Sequence, residues 1–174
     1  MAKTHAILLD NTLRDNVTQF HNIYLKYKQL PDLEVDDTEH DLQTKYSMSD
    51  DEYADFKEEY AVELNAFAPE VKKFIVQAEL TQLSYKTDLT VVAFGSSKEI
   101  PATLNFLAKC SCYVRNISFI RDADELASYD TIITSLPNIL AKYPDKCIKI
   151  ETLYNIDCSV ERSYPDLKTY LETL

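Results

Sequence analysis

HAILLDNTL, residues 5–13, sets an unbroken apolar run against a polar turn. A strand with one wet face alternates apolar and polar side chains, whereas a strand buried on both faces does not. Ala6-Ile7-Leu8-Leu9 does not alternate, so it predicts an inner strand of a parallel sheet. Asp10-Asn11-Thr12 then predicts the turn at the carboxyl end of that strand.

Downstream, Val17, Phe20, Ile23, Tyr24 and Tyr27 recur at three- and four-residue steps and predict a helix over 15–28. Residues 31–48 turn acidic and polar, the pattern of a solvated loop with short helices. Ser49-Asp50-Asp51-Glu52 is a capping-box pattern, and the helix it opens is expected to reach about Leu64. Pro69 is expected at the first turn of a further helix whose buried face is Val71, Phe74, Ile75, Ala78 and Leu83. From Leu89 onward strands and helices alternate: LTVVAF, then KEIPATLNFLAKC; VRNISFI, then ADELAS; DTIIT, then PNILAKY; KCIKIE, then YPDLKTYLETL. That alternation predicts an α/β fold, a Rossmann-like parallel sheet flanked by helices. Residues 29–67 are then a small helical cap inserted after the first strand and helix, and 1–28 with 68–174 form the core domain.

Composition narrows the function. The 174 residues include 45% hydrophobic side chains, enough for a packed core, and carry a formal net charge of −11. An acidic chain lacks the basic face that a nucleic-acid polymer requires. Gly95 is the single glycine, so neither a Walker loop nor a dinucleotide fingerprint can be built. A phosphate would have to be met by a helix N-terminus or a metal. No leader-like or membrane-spanning stretch is visible, and the four cysteines fit free thiols in a reducing, cytoplasmic setting. Cys110-Ser111-Cys112 has the look of half a metal site, but no second pair stands at ligand spacing.

In doubly wound sheets ligands bind beyond the carboxyl ends of the strands. That rule selects Asp10, Asn11 and Thr12 after the first strand, Ser96 and Ser97 after the second, and Arg121 and Asp122 after the third. Thr134 and Ser135 follow the fourth, and Glu151, Thr152, Tyr154 and Asn155 the fifth. A pocket edged by Asp10, Ser96, Ser97 and Arg121 would suit a small anionic ligand. Each residue also has a structural reading: Asp10 and Thr12 as turn formers, the serines as helix caps, Arg121 as a surface ion-pair partner, and Tyr154-Asn155 as a packed turn.

These stretches together resemble the haloacid dehalogenase-like phosphohydrolases, and among them the 5'(3')-deoxyribonucleotidases. The family opens with a strand and Asp-x-Asp-x-Thr/Val; here stands Leu8-Leu9-Asp10-Asn11-Thr12. The helical insertion, the Ser96-Ser97 strand end, Arg121-Asp122 and Tyr154-Asn155 follow in the family's order. The resemblance places Leu8 at the nucleophilic aspartate, Asp10 at the general acid–base, Ala123 at the lysine, and Thr134 and Ser135 at the acidic Mg²⁺-binding pair. Leucine offers no lone pair for attack, and neutral hydroxyls are poor Mg²⁺ ligands.

The resemblance therefore implies a degenerate phosphatase with no cofactor, serving as a binding or structural module. Its partner would be another protein or a second copy. The glycine-poor, Lys/Asn/Tyr/Ile-rich composition suggests an AT-rich genome, that of a phage or a low-GC bacterium. Two alternatives stay open. In the first, Asp10 is the nucleophile of an active Mg²⁺-dependent phosphohydrolase, with Thr12 at the second-aspartate position and Asp122 or Asp130 as metal ligands. In the second, the chain senses a nucleotide or phosphate without cleaving it.

Overall fold

The computed structural model describes residues 3–31, 33–35 and 38–174. Six strands form one parallel sheet in the order β3-β2-β1-β4-β5-β6. They are β1 (Thr4–Leu8), β2 (Asp88–Phe94), β3 (Asn116–Ile120), β4 (Thr131–Thr134), β5 (Cys147–Ile150) and β6 (Ser163–Tyr164). The helices are α1 (Asn16–Tyr27), α2 (Leu42–Lys45), α3 (Asp50–Glu59), α4 (Ala61–Ala66), α5 (Thr81–Lys86), α6 (Glu99–Lys109), α7 (Pro137–Lys142) and α8 (Leu167–Leu171). The α/β architecture expected from HAILLDNTL is present, with β1 at its centre, pairing β2 on one side and β4 on the other.

The absence of alternation in β1 has its reason in the packing. Ile7 and Leu9 join one apolar cluster with Leu80, Leu83, Val91 and Phe106. Ala6 and Leu8 join another with Val92, Ile120, Ile132 and Ile139 on the opposite face. Both faces are dry, so both carry apolar side chains. A third cluster gathers Val17, Phe20 and Ile23 of α1 with Leu42 of α2, Met48 of the loop after it, Phe56 of α3 and Leu64 of α4. Phe20 and Phe56 lie with ring centres 4.7 Å apart inside it. No helix among the described residues is long and apolar enough to cross a membrane.

Three local expectations are corrected. The helix expected from Pro69 begins only at Val76, as a π-type turn over Val76–Leu80 that runs into α5. Residues 69–71 are extended instead, because they pair with the loop after β1. Asp15 N donates to Pro69 O at 2.9 Å and Val71 N to Leu13 O at 3.0 Å. The Glu70 carboxylate then accepts from Phe74 N and Val76 N and starts the helix. Val71 and Phe74, expected inside, are exposed, and Phe74 adopts a left-handed φ of 67°. The helix expected to reach Leu64 breaks at Tyr60, which lets α4 lie against α6. The two-residue β6 takes Tyr164, the first residue of the stretch expected to be the last helix, and that helix starts at Leu167 instead.

Candidate functional site

The strand order reverses between β1 and β4: β2 and β3 lie to one side, β5 and β6 to the other. Beyond the carboxyl ends of these two strands is the topological switch point, where a doubly wound sheet ordinarily opens a crevice. Here it is stitched together. Ser135 N donates to Thr12 Oγ1 at 3.0 Å, and Ser135 Oγ donates to Asn11 O at 2.6 Å. With that proton committed, Thr12 Oγ1 is the donor to Ser135 Oγ across 3.1 Å. Tyr154 OH donates to Asn11 O at 3.2 Å. Asn155 Nδ2 donates to Ser135 O and Ile150 O, and its Oδ1 accepts from Thr152 N at 2.9 Å. Ser135 and Asn155 are fully buried. Each bond contributes about 0.5–1.5 kcal/mol to the seam.

Asp10 stands on the other side of this seam and is held by Arg14. The Arg14 side chain is entirely buried. Its Nη2 pairs with Asp10 Oδ1, and its Nε reaches the same oxygen at 3.2 Å. Nε also donates to Asn16 Oδ1, and Nη1 donates to Asn65 O and Thr103 Oγ1. The guanidinium carbon lies 5.6 Å from the centre of the Phe106 ring. Asn16 Nδ2 adds a third bond to Asp10 Oδ1. Asn11 turns the chain between them at φ 57°, a backbone region that asparagine tolerates better than most residues, and its side chain accepts from Asn16 N. One arginine thus joins the β1 loop, α4 and α6.

Two separate clefts flank the seam. A small one, about 140 Å³, lies between Asp10 after β1, Asn16 and Phe20 of α1, Phe94 of β2, Glu99 of α6, and Tyr53, Lys57 and Leu64 of α3 and α4. A wider groove continues it past Lys57 and Glu99 to Ser96 and Ser97. The Lys98–Glu58 ion pair bridges the start of α6 to α3 there. The other cleft, about 300 Å³, lies between Asn11, Thr12, Val71, Ile75, Ile150, Tyr154 and Leu167.

The residues singled out in the sequence are not gathered into one pocket. Ser96 and Ser97 are exposed, and neither side chain caps α6; the Glu99 carboxylate accepts from Ser96 N at 2.6 Å instead. Arg121 is exposed and lines neither cleft. Asp122 caps the 3-10 turn Ala123–Ser128. Asp130 accepts from Thr4 N and Oγ1 at the amino end of the sheet, the edge opposite the site, so it is no ligand there. Thr134 is buried, with Oγ1 accepting from Leu136 N. Arg14, Asn16, Asn65 and Thr103 were not marked by any motif.

Among the described residues no group of three His, Cys, Asp or Glu side chains is placed to hold a metal. Burial pushes the Cys110 thiol up to about 11, with Glu70 adding to it, and the Cys147 thiol up to about 12. Such thiols are almost wholly protonated at pH 7.5, where the thiolate is the nucleophile. Cys147 is expected to react with a thiol-specific disulfide reagent only when the chain is unfolded in denaturant. Rapid labelling of native protein at Cys147 would contradict its packing.

No protein-family model and no curated protein matches this chain. Solved structures do. A haloacid dehalogenase-like hydrolase from Burkholderia xenovorans LB400 superposes with a TM-score of 0.63 at 10% identity, over 98% of this chain and 95% of that one. YfnB of Bacillus subtilis, a HAD-hydrolase whose structure is bound to magnesium, gives 0.63 at 11% identity over 99% and 98%. A haloacid dehalogenase-like family hydrolase from Xanthomonas campestris gives 0.57 at 11% over 99% and 94%. The chain therefore has the haloacid dehalogenase-like hydrolase fold across its whole described length.

Proposed function

We propose that this chain is a catalytically degenerate phosphohydrolase of nucleotidase descent, in which residues 29–67 form the cap and the domain now works as a binding or structural module for a protein partner. The observation that carries the reading is the buried Arg14–Asp10 pair. Asp10 is the carboxylate kept at the expected motif, and its inner oxygen already accepts from Arg14 and Asn16. That oxygen is committed to donors of the fold rather than to a substrate.

The remaining positions support the same reading. Leu8 packs in the core rather than facing a cleft. Thr134 and Ser135 spend their hydroxyls on backbone atoms. Ala123 supplies no cation. Mg²⁺ takes an octahedral shell of hard oxygens, several of them water, and is anchored by one or two carboxylates that are free to bind it. This set offers one carboxylate beside a fixed positive charge, and does not suit the ion.

The reading is tested by phosphate release from a panel of nucleoside monophosphates with Mg²⁺ and with EDTA. No turnover above the EDTA blank is expected. Metal-dependent turnover would establish the active-hydrolase alternative and sink this one. A nucleotide sensor is separated by thermal shift: a bound nucleotide at 100 times its Kd would add about 2.7 kcal/mol. No shift is expected, because the Glu99 carboxylate occupies Ser96 N at the start of α6, where a phosphate would be received.

A further inference from the structure

The two edges of the sheet are treated differently. An edge strand exposes unpaired backbone groups, and proteins blunt such edges with short strands, prolines, lysines or bulges. The β6 edge is blunted: it has two residues and is followed by Pro165. The β3 edge is not. It has five residues, Asn116-Ile117-Ser118-Phe119-Ile120, paired in regular register with β2 alone, with no lysine or proline.

The direction of its free groups follows from one bond. Ile120 O accepts from Gly95 N at 3.2 Å, so Ile120 faces β2. Along a strand the backbone groups alternate in direction, so the N–H and C=O of Ile117 and Phe119 point away from the sheet. Among the described residues no backbone bond from another element reaches either residue.

Charge then selects among occupants. The chain has four arginines and a net charge of −11. Arg14 is buried, and Arg162 is tied to the carbonyls of Asp145 and Lys146. The other two, Arg115 and Arg121, immediately flank β3. Both are exposed, and among the described residues neither makes a side-chain hydrogen bond or ion pair. They stand six residues apart, about 20 Å along an extended chain. In a symmetric antiparallel pairing of two copies about Ser118, Arg115 of each would face Arg121 of the other, a like-charge contact that is destabilising.

We propose that β3 is a docking edge for an extended peptide segment of another protein, one with apolar side chains at alternate positions and a carboxylate at each end. The segment adds a seventh strand through the backbone groups of Ile117 and Phe119. Its carboxylates meet Arg115 and Arg121, which at the same time turn away a second copy of this chain. This names a partner for the interaction module proposed above and rests on that reading for its biological purpose. Phosphate release in the earlier assay would overturn that reading while leaving peptide binding to be decided separately.

The test uses the full chain and a fluorescent heptapeptide, Glu-Val-Thr-Val-Thr-Val-Glu, beside the same peptide with lysine at both ends. At low salt the acidic peptide is expected to bind about tenfold tighter or more, and the preference to shrink at 0.5 M salt, where charges are screened within about 5 Å. The Ile117 and Phe119 amides are expected to gain protection from hydrogen exchange. The exposed double variant R115E/R121E is expected to fold and to reverse the preference. Absence of binding, equal binding of both peptides, or an unchanged preference in R115E/R121E would overturn the proposal. So would a wild-type dimer that protects the same two amides.

Discussion

Replacing Arg14 by methionine is expected to destabilise the chain by about 3–5 kcal/mol, the usual result of stripping one partner from a buried ion pair. Methionine keeps most of the apolar stem against Phe106, so loss of packing is a small part of the effect. What is lost is the set of donors. The Asp10 carboxylate keeps only Asn16 as a side-chain donor, and Asn65 O and Thr103 Oγ1 lose theirs. A domain of this size holds about 5–15 kcal/mol in total, so the variant would sit near the edge of folding. The loss is read as a fall in the urea midpoint at constant slope.

A second variant separates the stranded charge from the lost bonds. In the double replacement Arg14→Met with Asp10→Asn no unpaired carboxylate remains, so stability is expected to recover in part, with a coupling energy of about 0.5–3 kcal/mol. If Arg14→Met alone lost under about 1 kcal/mol, the pair would be exchanging with solvent. Asp10 would then be free to act, and the case for a silenced site would fail.

The same residue shows where reading a sequence stops. The inner strands were legible because burial on both faces removes alternation, and HAILLDNTL and LTVVAF carry that mark in their composition. The switch-point residues were legible as a group, because the carboxyl ends of parallel strands collect loops. Arg14 was not. An aspartate and an arginine four residues apart read as an ordinary pair, and nothing in that spacing tells a buried pair from a solvated one. Its burial depends on Asn65 and Thr103, far along the chain.

Pro69 misled for a related reason. Locally it favours a first helical turn, but Leu13 O and Asp15 N recruit the backbone around it into an extended bridge. The two residues of β6 carry no periodicity at all. In each case a long-range contact outweighed a local preference.

Leu8→Asp is the other large effect, and it restores the residue that the resemblance places at the nucleophile. Leu8 is fully buried beside Val92, Ile120, Leu126 and Ile132. Its replacement forfeits about 1.5–3 kcal/mol of apolar burial. It also puts a carboxyl among hydrocarbon side chains, where burial disfavours the charged form and so raises its folded pKa. The total is expected to exceed about 4 kcal/mol at pH 7.5.

The pH dependence has a definite sign. Below the unfolded value of about 3.9 the carboxyl is neutral in both states, and the ionisation penalty is absent. The penalty grows as pH rises from there towards the raised folded value, and is complete above it. The deficit is therefore expected to be smaller at pH 5 than at pH 7.5. It is read as a difference from wild type at each pH, because the wild type has its own acid dependence. Bonds from Thr4 and Thr169 hold Asp130 and Asp166 below the ordinary carboxylate range, and their contribution fades as pH falls through those lowered values. No phosphatase activity is expected to appear with the new carboxylate, since the seam at Ser135 and the Arg14 guanidinium remain. A Leu8→Asp chain that kept its stability and gained Mg²⁺-dependent turnover would mean that a single residue had silenced the enzyme. The buried pair and the seam would then be accessories to that loss.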